Sequence, residues 1–411
     1  MDSANSPTKR ILFVDDEQAV LDGLANLLRK QRRQWQMTFA LGGKVALEEL
    51  EKAPFDIVVS DMRMPGMDGA ELLRHVKERF PAVARVVLSG HADQEMVSRA
   101  LPVAQQYLSK PCDAEQLRSV IERVCKLQAL VAGTAVREIV GRLDKLPSIP
   151  ETYWLLTKTI ANPDAGIEDV AKVVQRDPAM CAKVLQLVNS AYFGLARPLT
   201  SVGQAISYLG LDLIKGLSLT LNVFGAASTT MPDAGLSFER LQRMAMMTAK
   251  LSKFIIGNPK ETEAAYTAGL VHEIGTIILA MSMPDRLSDV VKKAAQSGRP
   301  VDQVEREELG AGHAEIGGYL LGVWGLPTPI VEAVACHRDL RVITRDRLDP
   351  AVALHVANAL ACQAVAEASG EREADRLDLE TLQTLGLTEQ LPAWRDRATA
   401  EARAVVSGSD K

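Results

Sequence analysis

The first 110 residues alternate short apolar runs with stretches in which apolar residues recur every three or four positions. The runs at residues 11–14, 37–40, 57–59, 86–88 and 107–109 predict buried strands. The helical spacing between them predicts helices over residues 18–31, 43–52 and 69–79. Strands and helices that alternate in this way are typical of a parallel sheet with right-handed crossovers.

From residue 146 onward the strand pattern is lost and helical spacing dominates. Pairs such as Asn162-Pro163, Asp177-Pro178 and Arg197-Pro198 interrupt it. We therefore predict a disordered leader (1–8), an α/β domain (9–125), a helical connector (126–145), an all-helical domain (146–345) and C-terminal helices with a tail (346–411). Residues from about 366 onward are expected to form solvated helices and a frayed tail.

Composition limits the classes of function. A chain of 411 residues predicts two or three domains, and a net charge of −5 argues against a nucleic-acid binder that relies on overall charge. Five cysteines without a CxxC pair favour free thiols in a reducing cytoplasm. We expect no signal segment and no membrane helix, because no apolar run approaches the necessary length of about 18 residues.

Polar side chains stand where the predicted strands end. Asp15 and Asp16 follow the first strand and Asp61 ends the third, so parallel strands would bring three carboxylates to one sheet edge. Clustered carboxylates are suited to a hard cation such as Mg²⁺. Ser89 and Lys110, at the ends of later strands, add a hydroxyl and an ammonium group. This combination of functional groups is suited to transfer of a phosphoryl group to Asp61, which would act as the nucleophile.

The order Asp15-Asp16, Asp61, Ser89, Lys110-Pro111 resembles that of a response-regulator receiver domain over residues 8 to about 125. The resemblance implies a flavodoxin-like α/β fold with a parallel five-stranded sheet. It also implies that Asp61 is the phospho-acceptor, served by a cognate sensor histidine kinase. By the same resemblance Ser89, Lys110 and Tyr107 form the switch and phosphate-binding set, and Mg²⁺ is held by Asp15, Asp16, Asp61 and the backbone carbonyl of Arg63.

Three motifs in the helical region occur in order, at residues 173–180, 185–194 and 201–210. Together they resemble the N-terminal half of an HDOD domain, an all-α module related to the HD-superfamily phosphohydrolases. That resemblance covers roughly residues 140–345.

The metal centre of active HD enzymes is incomplete in this sequence. His272 is kept, but Glu273 stands where Asp is expected, Thr276 where active relatives often have Lys, and Asn358 where a carboxylate is needed. Met244 lies about where an upstream His is expected. The Gly-Tyr-Pro signature of cyclic-di-GMP phosphodiesterases is absent after His337-Arg338. The degenerate remnant comprises His272, Glu273, His313, His337 and Asn358, with His355 a further candidate. We predict no catalytic metal in this domain.

The sequence thus predicts a cytoplasmic two-component response regulator. Phosphorylation at Asp61 would switch the receiver face and alter either the interactions or the oligomeric state of a non-catalytic HDOD domain. The resemblance implies that this domain binds another signalling protein, with a link to cyclic-di-GMP pathways, and homodimerisation is left open. The alternatives are a receiver-gated metal-dependent phosphodiesterase or phosphohydrolase, a DNA-binding regulator, and nucleotide binding without turnover.

Overall fold

The chain forms two compact units in a computed structural model, one built mainly from Met1–Asp144 and the other mainly from the residues that follow. The structure describes residues 8–89, 103–110, 114–130, 135–143, 165–189, 197–210, 238–342, 345–368 and 377–407, with a few isolated positions between these ranges. Residues 1–7 of the predicted leader, Pro111 and the side chain of Ser89 lie outside the described part.

The first unit contains the predicted parallel sheet. Its strands are β1 (Lys9–Asp15), β2 (Trp35–Leu41), β3 (Ile57–Asp61), β4 (Ala84–Ser89) and β5 (Gln106–Ser109). They pair in the order β2-β1-β3-β4-β5, and every pairing is parallel. The predicted five-stranded α/β fold is therefore confirmed, and the carboxyl ends of β1 and β3 lie side by side.

Helices follow the strands on both faces of the sheet. They are α1 (Gln18–Leu27), α2 (Gly43–Lys52), α3 (Gly69–Arg79), α4 (Ala114–Leu130) and α5 (Ala135–Gly141). The predicted bounds of α2 and α3 are confirmed. The prediction for α1 was too long, because after buried Leu28 the chain continues as a 3₁₀ helix, Arg29–Arg33. That basic stretch has no apolar side chain to keep an α-helix packed on the sheet.

The central strand β3 is buried along its whole length. One face of the sheet contributes Ile11, Phe13, Ile57 and Val59 to a core that also receives side chains from α1 and α4. A strand that is covered on both faces needs apolar residues at successive positions, which explains the run at residues 57–59. Its last residue, Asp61, is thereby held at the rim of a rigid sheet.

The rest of the described chain is helical, and no strand occurs in it. Its helices are α6 (Ile167–Val174), α7 (Pro178–Val188), α8 (Val202–Leu209), α9 (Phe238–Ile256), α10 (Thr262–Val271), α11 (Ile274–Ser282), α12 (Pro284–Ser297), α13 (Val301–Leu309), α14 (His313–Val323), α15 (Thr328–Cys336), α16 (Pro350–Ala368), α17 (Leu379–Thr384) and α18 (Leu391–Ser407). The predicted all-α architecture is confirmed.

A glycine allows α11 to approach the start of α14 closely. A Cβ atom at Gly275 would lie only 1.8 Å from the backbone oxygen of His313. Only glycine leaves room for that oxygen, so the contact fixes where His313 lies relative to the end of α10.

The C-terminal region corrects one prediction. Residues beyond 366 were expected to be solvated helices with a frayed tail, but Trp394, Ala398 and Ala402 of α18 are buried. They belong to a core cluster that also contains residues of α9 and α16. Their spacing of four residues places them on one helix face, and the two small alanines permit close packing. This helix is thus part of the core of the second unit.

Two described stretches, Thr262–Ser282 and Pro350–Ala368, are long and apolar enough to meet a length-and-composition test for membrane spans. Neither is an uninterrupted apolar run, because Glu273 interrupts the first and His355 and Asn358 interrupt the second. Most of each stretch is buried inside the structure, 89% of the first and 78% of the second. Helices at the centre of a helical domain have the same composition, because they are covered on all sides.

Four of the five cysteines lie in the described chain: Cys125, Cys181, Cys336 and Cys362. All four are free thiols, in agreement with the expectation from their spacing.

Candidate functional site

The carboxyl ends of β1, β3 and β5 bring two acids and one lysine together. The Lys110 ammonium donates to Asp15 Oδ2 at 2.8 Å and lies 2.5 Å from Asp61 Oδ1. Both carboxylates are nearly buried, with 2% and 6% of their surfaces exposed. Asp16 is half-buried beside Asp15. The predicted convergence of acids and lysine at one sheet edge is therefore present.

Backbone amides hold the remaining carboxylate oxygens in place. Asp61 Oδ2 accepts from the amide of Arg63 at 2.8 Å, and Asp15 Oδ1 accepts from the amide of Glu17 at 3.0 Å. Each carboxylate therefore has one oxygen fixed by the backbone and one turned toward Lys110. Aligned oxygen ligands at a sheet edge form the type of donor set that Mg²⁺ prefers, so these residues fit that ion.

The charges at this edge depend on one another. Burial raises the pKa of Asp61, while the Lys110 ammonium opposes that change. Burial lowers the pKa of Lys110, but its hydrogen bonds to Asp15 and Asp61 outweigh burial, and the net shift is upward. The ammonium group 2.5 Å away favours the ionised form of Asp61.

The loop after β3 positions this edge through local hydrogen bonds. Gly66 adopts a positive φ of 82°, which glycine accommodates without strain. Asp68 then caps α3 by accepting from the amide of Glu71 at 2.9 Å. The amide of Gly69 donates to the carbonyl of Met62 at 3.0 Å. The Pro-Gly-Met-Asp-Gly stretch therefore returns the chain directly against the end of β3.

Tyr107 on β5 is already buried. Only 4% of its surface is exposed, and its hydroxyl donates to the carbonyl of Ala104 at 3.0 Å. Burial raises the pKa of this phenol far above its usual value. The backbone register places Ser89 opposite Ser109, one residue beyond the pairing of Asp61 with Leu88. Because Tyr107 is buried, its ring already lies in an inward position in this structure.

A second cluster of polar side chains lies among α10, α14, α15 and α16. His272 and His337 each follow the last residue of a helix, and each Nδ1 lies 2.7 Å from the carbonyl oxygen three residues earlier, in Gly269 and Val334 respectively. A carbonyl only accepts, so Nδ1 of each ring carries the proton and Nε2 keeps its lone pair. Burial lowers the pKa of both histidines, which are therefore neutral.

His313 begins α14 and is held by an acid. Its Nδ1 lies 2.6 Å from Glu305 Oε2, which also accepts from the backbone amide of His313 at 2.8 Å. On the other side of the ring, Arg338 Nε donates to Nε2 at 3.1 Å. An arginine Nε–H is always a donor, so Nε2 acts as the acceptor in this contact and Nδ1 carries a proton. Burial lowers the pKa of His313, but the Glu305 carboxylate outweighs burial, and the net shift is upward.

Glu273 supplies the carboxylate of this cluster. Its Oε2 accepts from the Thr276 hydroxyl at 2.5 Å, and its Oε1 lies 3.4 Å from Arg338 Nη2. Burial alone would raise the pKa of Glu273, but His313 and Arg338 oppose it, and the net shift is downward. Arg338 is the group here that carries a permanent charge, which makes it the counter-ion of Glu273.

The remaining members of the predicted remnant have structural partners. The Asn358 amide donates to His272 Nε2 at 2.8 Å. His355 Nδ1 donates to the carbonyl of His337 at 3.0 Å, and its Nε2 accepts from the amide of Asp378 at 3.1 Å. Asn358 therefore adjoins the cluster, whereas both ring nitrogens of His355 are occupied by backbone groups.

Sequence reasoning found the histidines and Glu273 but missed Arg338 and Glu305. Only 11% of the Arg338 side chain is exposed, which is unusual for a charged residue unless it is paired, as Arg338 is with Glu273. The available signal was its position directly after His337, at the end of an apolar helical stretch.

Comparisons with known proteins agree with both halves of this architecture. Residues 11–122 match the response regulator receiver domain family, and residues 146–340 match the HDOD domain family. An uncharacterised protein of Treponema pallidum is 25% identical over 223 residues, which are 54% of this chain and 43% of that protein. The uncharacterised transcriptional regulatory protein YesN of Bacillus subtilis is 34% identical over 122 residues, 28% of this chain and 32% of that protein.

Among solved structures, the MmoQ response regulator of Methylococcus capsulatus is 24% identical, with a TM-score of 0.48. The match covers 61% of this chain and 98% of that one. The chain spans less than half the length of the two curated relatives named above. The two family matches lie on the two units whose folds and clusters have been described. This chain belongs to the response regulators and joins an N-terminal receiver domain to a C-terminal HDOD domain.

Proposed function

We propose that this protein is a phosphorylation-controlled switch in which Asp61 accepts a phosphoryl group from a cognate sensor histidine kinase. The observation that carries the proposal is the Lys110 ammonium shared between Asp15 and Asp61. An ammonium in contact with the acceptor carboxylate is placed to neutralise charge on an incoming phosphoryl oxygen.

Mg²⁺ would be held by Asp15, Asp16, Asp61 and the backbone carbonyl of Arg63. The ion would supply a second positive charge that neutralises charge on the phosphoryl oxygens. Oδ2 of Asp61 is anchored by the Arg63 amide, so Oδ1 is the oxygen available for attack. Ser89 would donate to the phosphoryl group once it is attached. Tyr107, which is already buried, would then lock the β4–β5 edge rather than travel inward.

The output would pass through the HDOD domain without catalysis. Its cluster has an asparagine, Asn358, where an active centre needs a carboxylate, and Arg338 contacts both Glu273 and His313. A buried arginine in that position opposes the binding of a catalytic cation. We propose that the domain instead binds a downstream signalling protein or a second copy of the chain, and that a cyclic-di-GMP pathway is the setting.

Phosphorylation tests the first part of this proposal. The purified protein is incubated with Mg²⁺ and acetyl phosphate, and its intact mass is compared with that of Asp61→Asn. Asp22→Asn removes an exposed acid of α1 in the same unit and serves as the matched control. One phosphoryl group on the wild type and on Asp22→Asn, with none on Asp61→Asn, is expected. Equal labelling of Asp61→Asn would overturn the assignment of the acceptor.

The output is tested by light scattering after size-exclusion chromatography, with beryllofluoride as the phosphoryl mimic. A change in mass or hydrodynamic size that requires Asp61 is expected. If neither mass nor hydrodynamic size changes in a sample whose phosphorylation is confirmed, rearrangement and oligomerisation are excluded as the output.

One observation favours a second candidate, a receiver-gated metal-dependent phosphodiesterase. Oxygen and nitrogen donors of Glu273, His313 and His337 all lie within 4.8 Å of one another. Hydrolysis of bis(p-nitrophenyl) phosphate in the presence of Mn²⁺, abolished by His337→Ala, would establish this candidate. The proposed switch predicts no turnover above that of the variant.

A further inference from the structure

The histidine cluster of the second unit contains an almost complete set of metal ligands. Glu273, His313 and His337 are buried, and one donor atom from each lies within 4.8 Å of the other two. Imidazole nitrogens combined with a carboxylate are typical ligands for Zn²⁺ and related transition metals, and not for Mg²⁺.

The orientation of each ring is set by a hydrogen bond on its far nitrogen. Nδ1 of His337 is bound to a backbone carbonyl and Nδ1 of His313 to the Glu305 carboxylate, so both rings have Nε2 left over. Transition-metal sites use the same outer hydrogen bonds to fix tautomer and direction. The hydrogen bonds on Nδ1 therefore fix the orientation of both imidazole rings in the way that a metal site requires.

A guanidinium group occupies this ligand set. Arg338 Nε donates to His313 Nε2 at 3.1 Å, and Nη2 lies 3.4 Å from Glu273 Oε1. Two of the three ligands are thus engaged by one buried cation. The third, Nε2 of His337, is buried and has no hydrogen-bond partner in the part of the chain that the structure describes. A buried acceptor left open beside two satisfied ones marks a ligand position that the arginine does not reach.

Charge explains why a cation must be present. An ionised carboxylate as buried as Glu273 requires a compensating positive charge, and Arg338 supplies it. A metal ion would supply the same charge and would also satisfy His337 Nε2. The guanidinium and a metal ion are therefore alternatives for one position.

We propose that Arg338 is a built-in cation that closes a latent transition-metal site formed by Glu273, His313 and His337. The inference deepens the proposed function and rests on it in one respect, namely that the HDOD domain works without a catalytic metal. Phosphoryl transfer to Asp61 is measured separately, so failure of this inference leaves that part of the proposal standing.

An access route for the ion exists next to the arginine. A pocket of about 320 Å³ is lined by His337, Arg338, Asn358 and the neighbouring Arg341, among other residues. Shortening Arg338 would open the cluster to this pocket. Arg341 lies on the same pocket but is exposed and paired with Asp339, which makes it a matched control.

The experiment measures Co²⁺ binding by visible absorption and equilibrium dialysis, with Mg²⁺ in excess to occupy oxygen-only sites. Nitrogen-ligated Co²⁺ in a site of low coordination number absorbs far more strongly than hydrated Co²⁺. We expect Arg338→Gln to bind one equivalent, about a hundredfold or more tighter than the wild type, because it frees two ligands and leaves Glu273 without a counter-ion. Arg341→Gln should behave as the wild type, and adding His337→Ala to Arg338→Gln should remove the absorption.

Two results would overturn the inference. One is a wild type that binds Co²⁺ as tightly as Arg338→Gln, since the arginine would then not close the site. The other is a folded Arg338→Gln that binds none, since no latent site would then exist. Should Arg338→Gln be unfolded as purified, recovery of helical circular dichroism on refolding with Co²⁺ would support the inference, and no recovery with either Co²⁺ or Zn²⁺ would count against it.

Discussion

The most informative perturbation of the receiver is Gly69→Ala. Gly69 begins α3, and a Cβ atom there would lie 2.0 Å from the backbone oxygen of Asp61 and 2.9 Å from its carbonyl carbon. Ordinary van der Waals contact begins at 3.4 Å, so the gap must widen by about 3.4 − 2.0 = 1.4 Å. Both atoms are backbone, and no rotation of a side chain can relieve the clash.

Forcing an extra carbon into packed structure costs about 1–3 kcal/mol. The β3 amides should therefore exchange with deuterium about fivefold to a hundredfold faster in Gly69→Ala than in the wild type. Under the proposed function, phosphorylation by acetyl phosphate should also slow by about tenfold or more, since an ångström-scale displacement of the nucleophile disrupts in-line attack.

Gly23→Ala provides the matched control. Gly23 lies within α1, and nothing lies within 4 Å of a Cβ atom built there. Alanine in a helix interior is more stable than glycine by about 0.5–1 kcal/mol, so this variant should be at least as stable as the wild type. Hydrogen–deuterium exchange with mass spectrometry reads each unit separately. Exchange of β3 in Gly69→Ala within twofold of the wild type would refute the steric reasoning.

Three further predictions concern single side chains. Asp177 caps α7 by accepting from the amides of residues 179 and 180 at 2.9 and 3.1 Å, so Asp177→Ala should destabilise α7 by about 1–2 kcal/mol and Asp177→Ser by much less, as read from amide exchange. Burial raises the pKa of Cys125 from 9.0 to about 12, so iodoacetamide at pH 8 should alkylate it about a thousandfold more slowly in the native protein than in denaturant, by peptide mass mapping. Arg347 pairs with Glu261 at an exposed surface, so Arg347→Ala should change the free energy of urea unfolding by less than about 1 kcal/mol.

The receiver half could be predicted closely because its signals are local. A strand that is buried on both faces must be apolar throughout, and the polar residue that ends it must lie at the sheet rim. Those two facts were enough to bring Asp15, Asp61 and Lys110 together. The end of α1 was missed because an α-helix and a 3₁₀ helix share similar spacing over the few residues concerned.

For the helical half, the sequence predicted the all-α class but not which side chains meet inside the domain. Periodicity identifies helices, yet it does not say which helices touch, so the convergence of His313, His337 and Glu273 followed only from a resemblance. Arg338 was missed because an arginine at a helix end normally points to solvent. The burial of Trp394 was missed because polar and charged neighbours dilute the apolar positions of α18.

The central claim is that phosphorylation of Asp61 changes the HDOD domain. The most direct measurement is hydrogen–deuterium exchange over residues 238–342 and 345–407, with and without beryllofluoride and Mg²⁺, in the wild type and in Asp61→Asn. We predict altered protection in these residues of the wild type alone. Protection that changes only within residues 8–130, or changes equally in Asp61→Asn, would contradict it.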